Sequence, residues 1–77
     1  MKVLIVDDEA LARVGIRTII PWEQYGYRVV GEAADGLEAL SMARVSKPDI
    51  IIVDIMMPQL NGLEFIQQIR IELPSSK

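Results

Sequence analysis

Short, wholly apolar runs alternate along the chain with longer segments that have helical spacing. Residues 3–6 and 50–53 are such runs, composed only of valine, leucine and isoleucine, and each is followed by aspartate. Runs this short and this rich in β-branched residues predict strands buried on both faces, as in a parallel sheet covered by helices. Residues 27–33, centred on Val29 and Val30, predict a further strand.

The segment at residues 10–20 predicts the first helix, which Pro21 ends. Its basic residues, Arg13 and Arg17, lie one turn apart and indicate a solvated side. The residues expected to line its apolar side are Ala12, Ile16, Ile19 and Ile20.

Two later segments open with the signature of a helix N-terminus. Asp35 with Glu38 forms a capping box and starts a helix that runs to about Val45. Asn61 repeats this pattern and starts a third helix, which ends before Pro74. The positions expected on the apolar sides are Leu37, Leu40 and Ala43 in the second helix, and Leu63, Ile66, Ile69 and Leu73 in the third. The order β-α-β-α-β-α predicts a single open α/β layer with right-handed crossovers.

The composition of this 77-residue chain narrows the possible chemistry. The absence of cysteine and histidine excludes disulfides, cysteine nucleophiles and histidine-based triads, and argues against zinc. A net charge of −3 with scattered basic residues argues against direct nucleic-acid binding. The first apolar run is too short for a signal sequence or a membrane span, so we expect a cytoplasmic protein.

Aspartates follow two of the predicted strands. Asp7 and Asp8 end the first, and Asp54 ends the strand at residues 50–53. If these strands are neighbours, about 4.8 Å apart, the carboxylates crowd together at the edge where open parallel sheets bind ligands. An oxygen-only site with open positions suits Mg²⁺. A carboxylate beside such an ion can attack a phosphoryl group and form an aspartyl phosphate, and Asp54 is the candidate nucleophile.

A simpler interpretation applies to each of these residues alone. Aspartate is common at strand ends and helix N-caps, so Asp8 by itself is more typical of a cap than of a metal ligand. Met56 and Met57 are more typical of packing than of catalysis. Two acidic strand ends in one short α/β chain nevertheless favour a shared site over coincidence.

Several separated motifs together resemble the receiver domain of bacterial two-component response regulators. They are VLIVDDE at residues 3–9, AADGLEAL at 33–40, PDIIIVDIMMP at 48–58 and NG at 61–62. The segment IPWEQYGY at residues 20–27 further resembles receivers that precede AraC-type DNA-binding domains. The resemblance implies a flavodoxin-like (CheY-like) open parallel sheet with strand order 2-1-3, flanked by helices.

The resemblance also implies roles for individual residues. Asp54 would be the phosphoacceptor, charged by a sensor histidine kinase, in a signalling module that is not itself an enzyme. Asp8 would bind Mg²⁺ directly, Asp7 would act mainly through water, and the backbone carbonyl of Met56 would complete the protein's ligands. Asn61 stands where the family usually carries aspartate, a mild departure.

A larger departure concerns the extent of the chain. A complete receiver has two more strands and two more helices, which supply a Ser/Thr and a Lys that respond to the phosphoryl group. We therefore expect residues 1–77 to be a partial receiver, the first three β-α units, with any DNA-binding domain outside it. The free edge of the third strand would then favour self-association, edge to edge or by exchange of elements between chains.

Other functions fit the residues less well. A haloacid-dehalogenase-type phosphatase needs a second aspartate two positions after Asp54, where Met56 stands. A flavodoxin-type cofactor binder needs a phosphate-cradling loop after the first strand, where Asp7 and Asp8 would repel a phosphate. The main alternative is a structural or assembly fragment of a receiver that cannot be phosphorylated.

Overall fold

The computed structural model describes residues 1–54 and 62–72, except for the side chains at positions 62, 63 and 72. Its elements follow the predicted order, with bounds that differ by about one residue from those predicted. They are β1 (Lys2–Val6), α1 (Ala10–Ile19), a 3₁₀ turn (Trp22–Tyr25), β2 (Arg28–Ala33), α2 (Gly36–Ser46), β3 (Ile50–Val53) and α3 (Gly62–Glu72). No helix in the two described ranges is both long and apolar enough to cross a membrane.

The three strands form one parallel sheet in the order β2-β1-β3, which confirms the predicted flavodoxin-like arrangement. The register pairs Val3 with Ile50 and Val6 with Val53. The ladder continues one residue further, because the Asp54 N–H donates to the Val6 carbonyl at 2.9 Å. The carboxyl ends of β1 and β3 therefore lie side by side, which is the arrangement on which the acidic site depends.

Helices α2 and α3 cover one face of the sheet and enclose the main core. The buried members of this core are Leu4, Val6, Ala33, Ala39, Leu40, Ala43, Phe65 and Ile69. Gly31 of β2 allows the close approach of α2, since a Cβ there would lie 3.3 Å from both Leu4 Cδ1 and Met42 Sδ. The apolar side predicted for α3 is confirmed at Ile69 and, half-buried, at Ile66. Phe65, which the pattern did not single out, is among the largest fully buried side chains.

The Asp35 cap predicted for α2 is present, although the return bond of the capping box goes to Ala34, the residue before the cap. Asp35 Oδ1 accepts the Glu38 N–H at 2.8 Å, and Glu38 Oε1 accepts the Ala34 N–H at 3.1 Å. Leu40 and Ala43 are buried as predicted, but Leu37 is 54% exposed and its predicted burial is wrong. The sheet-facing side of α2 consists of positions 36, 39, 40 and 43, and position 37 falls outside that helical stripe.

Helix α1 lies on the opposite face, over Val3 and Ile5, which are fully buried. No residue of α1 is itself buried. The prediction of its apolar side is only half correct, because Ile19 is 80% exposed and Ile20 is also exposed.

Strand β3 also departs from expectation. It was predicted to be buried on both faces, but each of its residues is only half-buried. Within the described part of the chain it pairs only with β1, so one edge lacks a neighbouring strand. The predicted roles of Asn61, Leu63 and Leu73 fall on positions or side chains outside the described part of the structure.

Candidate metal centre

The ends of β1 and β3 bring together Asp7, Asp8 and Asp54. One carboxylate oxygen from each lies within 4.8 Å of those of the other two. Asp7 and Asp54 are half-buried and Asp8 is exposed, so the cluster opens to solvent on one side. The shared sheet edge creates this cluster, because Asp54 lies 46 positions after Asp8 in the chain but the two follow paired strands.

The turn that carries the first two aspartates is held by hydrogen bonds to Asp7. Its N–H donates to the Ala33 carbonyl at 3.0 Å, and its Oδ1 accepts the Glu9 N–H at 2.9 Å. Its carbonyl accepts a hydrogen bond from Arg13 Nη1 at 2.5 Å. The residue at the N-cap of α1 is Glu9. Asp8 is therefore not the cap of this helix, so its interpretation as a helix cap is wrong.

The carboxylates of Asp7 and Asp8 are not equivalent. One oxygen of Asp7 already accepts a backbone N–H. The Asp8 carboxylate makes no hydrogen bond or ion pair with any residue that the structure describes. Asp8 is thus the more available ligand for an ion arriving from solvent.

The donor set fits a hard divalent cation. Three carboxylates at this separation repel one another, and a cation shared between them removes that repulsion. Oxygen-only ligands with open positions toward solvent match Mg²⁺, which retains several waters. The predicted contribution of the Met56 carbonyl lies outside the described residues and remains a prediction.

The sequence interpretation missed a group of charged side chains behind this cluster. Arg13 and Arg17 were expected to be solvated, which holds for the exposed Arg17 but not for Arg13, and both contact Glu32 of β2, at 3.7 Å and 2.9 Å respectively. The Arg13 side chain is only 18% exposed. A glutamate after the apolar residues of β2 was the one available signal, because a half-buried charge there needs a partner.

Comparisons with known proteins identify relatives along the whole chain. The family model described as "Response regulator receiver domain" matches residues 3–77. A response regulatory protein of Staphylococcus epidermidis is 44% identical over 69 residues, which are 90% of this chain and 28% of that protein. The transcriptional regulatory protein HptR of Staphylococcus aureus is 43% identical over 68 residues, which are 88% of this chain and 27% of HptR.

The chain is also similar to solved structures of response regulators. The REC domain of AraT, a response regulator from Geobacillus stearothermophilus, is 46% identical with a TM-score of 0.92. The match covers 95% of this chain and 57% of that one. A two-component transcriptional regulator AraC from Clostridium phytofermentans is 31% identical with a TM-score of 0.93, covering 100% of this chain and 62% of that one. The chain thus spans little more than half of these structures and under a third of the curated relatives.

Proposed function

Because the chain belongs to the response regulator receiver family, we propose that it accepts a phosphoryl group on Asp54 from a partner histidine kinase, in a Mg²⁺-dependent reaction of two-component signalling. The observation that supports this proposal is the convergence of Asp54 with Asp7 and Asp8, whose carboxylate oxygens lie within 4.8 Å of one another. The domain then acts as a switch that carries the phosphoryl group rather than as an enzyme.

The proposed transfer is a single displacement at phosphorus. A carboxylate oxygen of Asp54 attacks the phosphoryl group of the kinase's phosphohistidine, an O–P bond forms and the P–N bond breaks. The electron pair of the broken bond stays on the leaving imidazole nitrogen. Mg²⁺, when bound, would neutralise charge on the phosphoryl oxygens. Since Asp54 lies at the end of β3 and is half-buried, the strand holds its carboxylate while one side stays open to the kinase.

The metal ligands divide according to their local hydrogen bonds. We assign Asp8 as a direct ligand, because its exposed carboxylate has no protein partner in the described part of the chain. Asp7 acts mainly through a bound water, because one of its oxygens already accepts the Glu9 N–H. Asp54 and the Met56 carbonyl are the other ligands in this proposal.

The relatives suggest the wider context. HptR is named a transcriptional regulatory protein, and the AraC protein of Clostridium phytofermentans a two-component transcriptional regulator. We propose that residues 1–77 correspond to the first three β-α units of a receiver in a cytoplasmic transcription regulator. DNA binding would belong to a separate domain and not to this acidic segment, whose net charge is −3.

The free edge of β3 supports a further proposal about the isolated 77-residue chain. Ile50–Val53 is wholly apolar and pairs on one side only within the described residues. An apolar strand with an unpaired edge is a template for a second strand, and a second copy of the chain offers the same edge. We therefore expect self-association through β3 or by exchange of elements, seen as a weight-average mass that rises with concentration in sedimentation equilibrium. A monomer at all concentrations would contradict this proposal.

The phosphoacceptor is tested by intact mass spectrometry after incubation with Mg²⁺ and acetyl phosphate. The wild-type chain should gain the mass of one phosphoryl group, and Asp54→Ala should gain none. Glu23→Gln, which removes an exposed carboxylate in the 3₁₀ turn, should behave like wild type, and excess EDTA should abolish the gain. An equal gain in Asp54→Ala would refute the assignment. No gain in any variant would favour the structural or assembly fragment instead.

A further inference from the structure

Arg13 connects the acidic cluster to Glu32, near the carboxyl end of the edge strand β2. Its Nη1 donates to the Asp7 carbonyl at 2.5 Å, and its Nε lies 3.7 Å from Glu32 Oε1. The other oxygen of Glu32 lies 2.9 Å from Arg17 Nε. A continuous series of polar contacts therefore links α1, β2 and the end of β1.

These side chains are restrained enough to hold a fixed geometry. Arg13 and Glu32 are 18% and 27% exposed, so neither moves freely in solvent. Both carboxylate oxygens of Glu32 are engaged, which leaves the guanidinium of Arg13 oriented toward Asp7. A planar guanidinium can contact two acceptors at once, which a lysine ammonium cannot do with the same geometry.

Asp7 is the point at which this series reaches the site. Its N–H is bonded to Ala33, its carbonyl to Arg13 and its Oδ1 to the Glu9 N–H. The N-cap of α1 at Glu9 has no side-chain hydrogen bond of its own. The conformation of the turn that presents Asp8 thus depends on the contacts to Asp7, and Arg13 supplies the only one of these three that comes from a side chain of another residue.

We infer that Arg13, oriented by Glu32 and Arg17, is a positioning residue for the cation site. It sets the geometry of the turn at residues 7–9, and so the affinity of Asp7 and Asp8 for a divalent cation, without touching the ion. The inference rests on the proposed function, because it takes Mg²⁺ as the ligand of the cluster.

Positioning and simple electrostatics predict opposite results when Arg13 is removed. If Arg13 acted only as a positive charge near the cluster, Arg13→Ala would reduce repulsion of Mg²⁺ and tighten its binding. If Arg13 positions the turn, Arg13→Ala weakens binding, by about 10-fold on the scale of other residues that orient metal ligands.

The experiment is a calorimetric titration of Mg²⁺ into wild type, Arg13→Ala, Arg13→Lys and Arg28→Ala. Arg28 is the matched control, since it is exposed and its side chain makes no hydrogen bond or ion pair with the residues described. Arg13→Ala should bind Mg²⁺ more weakly than wild type. Arg13→Lys, which keeps one donor, should recover part of the affinity. Arg28→Ala should match wild type.

A second readout needs no metal. Hydrogen exchange of the Glu9 amide, which donates to Asp7 Oδ1, should accelerate in metal-free Arg13→Ala. The Glu38 amide, which donates to Asp35 Oδ1, makes the same kind of bond elsewhere and should exchange at the wild-type rate. Acceleration at both amides would indicate general loosening of the fold and overturn the positioning role.

The outcomes separate this inference from the proposed function. If wild type binds Mg²⁺ and Arg13→Ala binds it equally or more tightly, the positioning role is refuted and the proposed function stands. If wild type binds no Mg²⁺, the proposed metal site fails, and the claim about affinity fails with it. Weaker binding in Arg13→Ala together with faster exchange at Glu9 alone supports the inference.

Discussion

The two faces of the sheet are held by different kinds of contact. On one face, α2 and α3 bury a continuous apolar cluster that includes Leu4, Leu40 and Phe65. On the other, α1 buries none of its own residues. Besides covering Val3 and Ile5, it makes hydrogen bonds and ion pairs with described residues of the strand ends, from Arg13 to Asp7 and Glu32 and from Arg17 to Glu32.

The comparison suggests a division of labour. Apolar burial on the α2–α3 face is the larger source of stability, since each large side chain removed from water contributes about 1.5–3 kcal/mol. Exposed or half-exposed ion pairs contribute at most about 1 kcal/mol each. The polar contacts of α1 therefore add little stability, but they end on the residue that precedes Asp8. We interpret the α1 face as the one that shapes the site.

The largest effect on stability is expected when a large side chain is removed from the apolar core on the α2–α3 face. Phe65→Ala should lower the free energy of unfolding by about 3 kcal/mol or more, because it leaves a cavity between α3 and the sheet. Urea denaturation measures this loss. Phe65→Leu keeps most of the side-chain volume and should lower the free energy of unfolding by about 1 kcal/mol. This second variant can still be measured if the alanine variant does not fold. A cost for Phe65→Ala no larger than that for Phe65→Leu would contradict the assignment of the core to this face.

A smaller effect is expected at the cap of α2. Asp35→Ala removes the acceptor of the Glu38 N–H and should cost about 1 kcal/mol. Asp35→Asn keeps an acceptor oxygen and should cost much less. Thermal unfolding followed by circular dichroism distinguishes the two variants. Equal losses in both would show that the side chain acts by its charge and not as a hydrogen-bond acceptor.

The smallest effect is expected on the open face. Leu11 of α1 is 84% exposed, so Leu11→Gln should change the free energy of unfolding by no more than about 0.5 kcal/mol. The same urea experiment applies. A large loss would mean that the α1 face is covered in solution, and the concentration dependence of that loss would show whether a second chain covers it.

The elements and their order were predictable because each depends on local sequence. The apolar runs gave β1 and β3, and the capping box at Asp35 gave the start of α2. The convergence of the aspartates needed one non-local assumption, that β1 and β3 are neighbours, and the register confirms it. The family resemblance supplied the strand order.

Features that depend on what covers a surface were not predictable. Helical spacing showed that Ile19 lies on an apolar side of α1, but it cannot show whether another element packs there. The same limit explains the half-burial of β3, whereas Leu37 is exposed because it lies outside the sheet-facing stripe of α2. The contact between Arg13 and Glu32 joins residues 19 positions apart on different elements, and no local pattern pairs them.

The central claim is that Asp8 and Asp54 bind one divalent ion together, at the shared edge of β1 and β3. Calorimetric titration of Mg²⁺ into wild type, Asp8→Asn and Asp54→Asn tests it directly, with Asp35→Asn as a control for loss of an aspartate elsewhere. The account predicts one bound ion in wild type, much weaker binding in both site variants, and wild-type affinity in Asp35→Asn. Wild-type affinity in either Asp8→Asn or Asp54→Asn would contradict it.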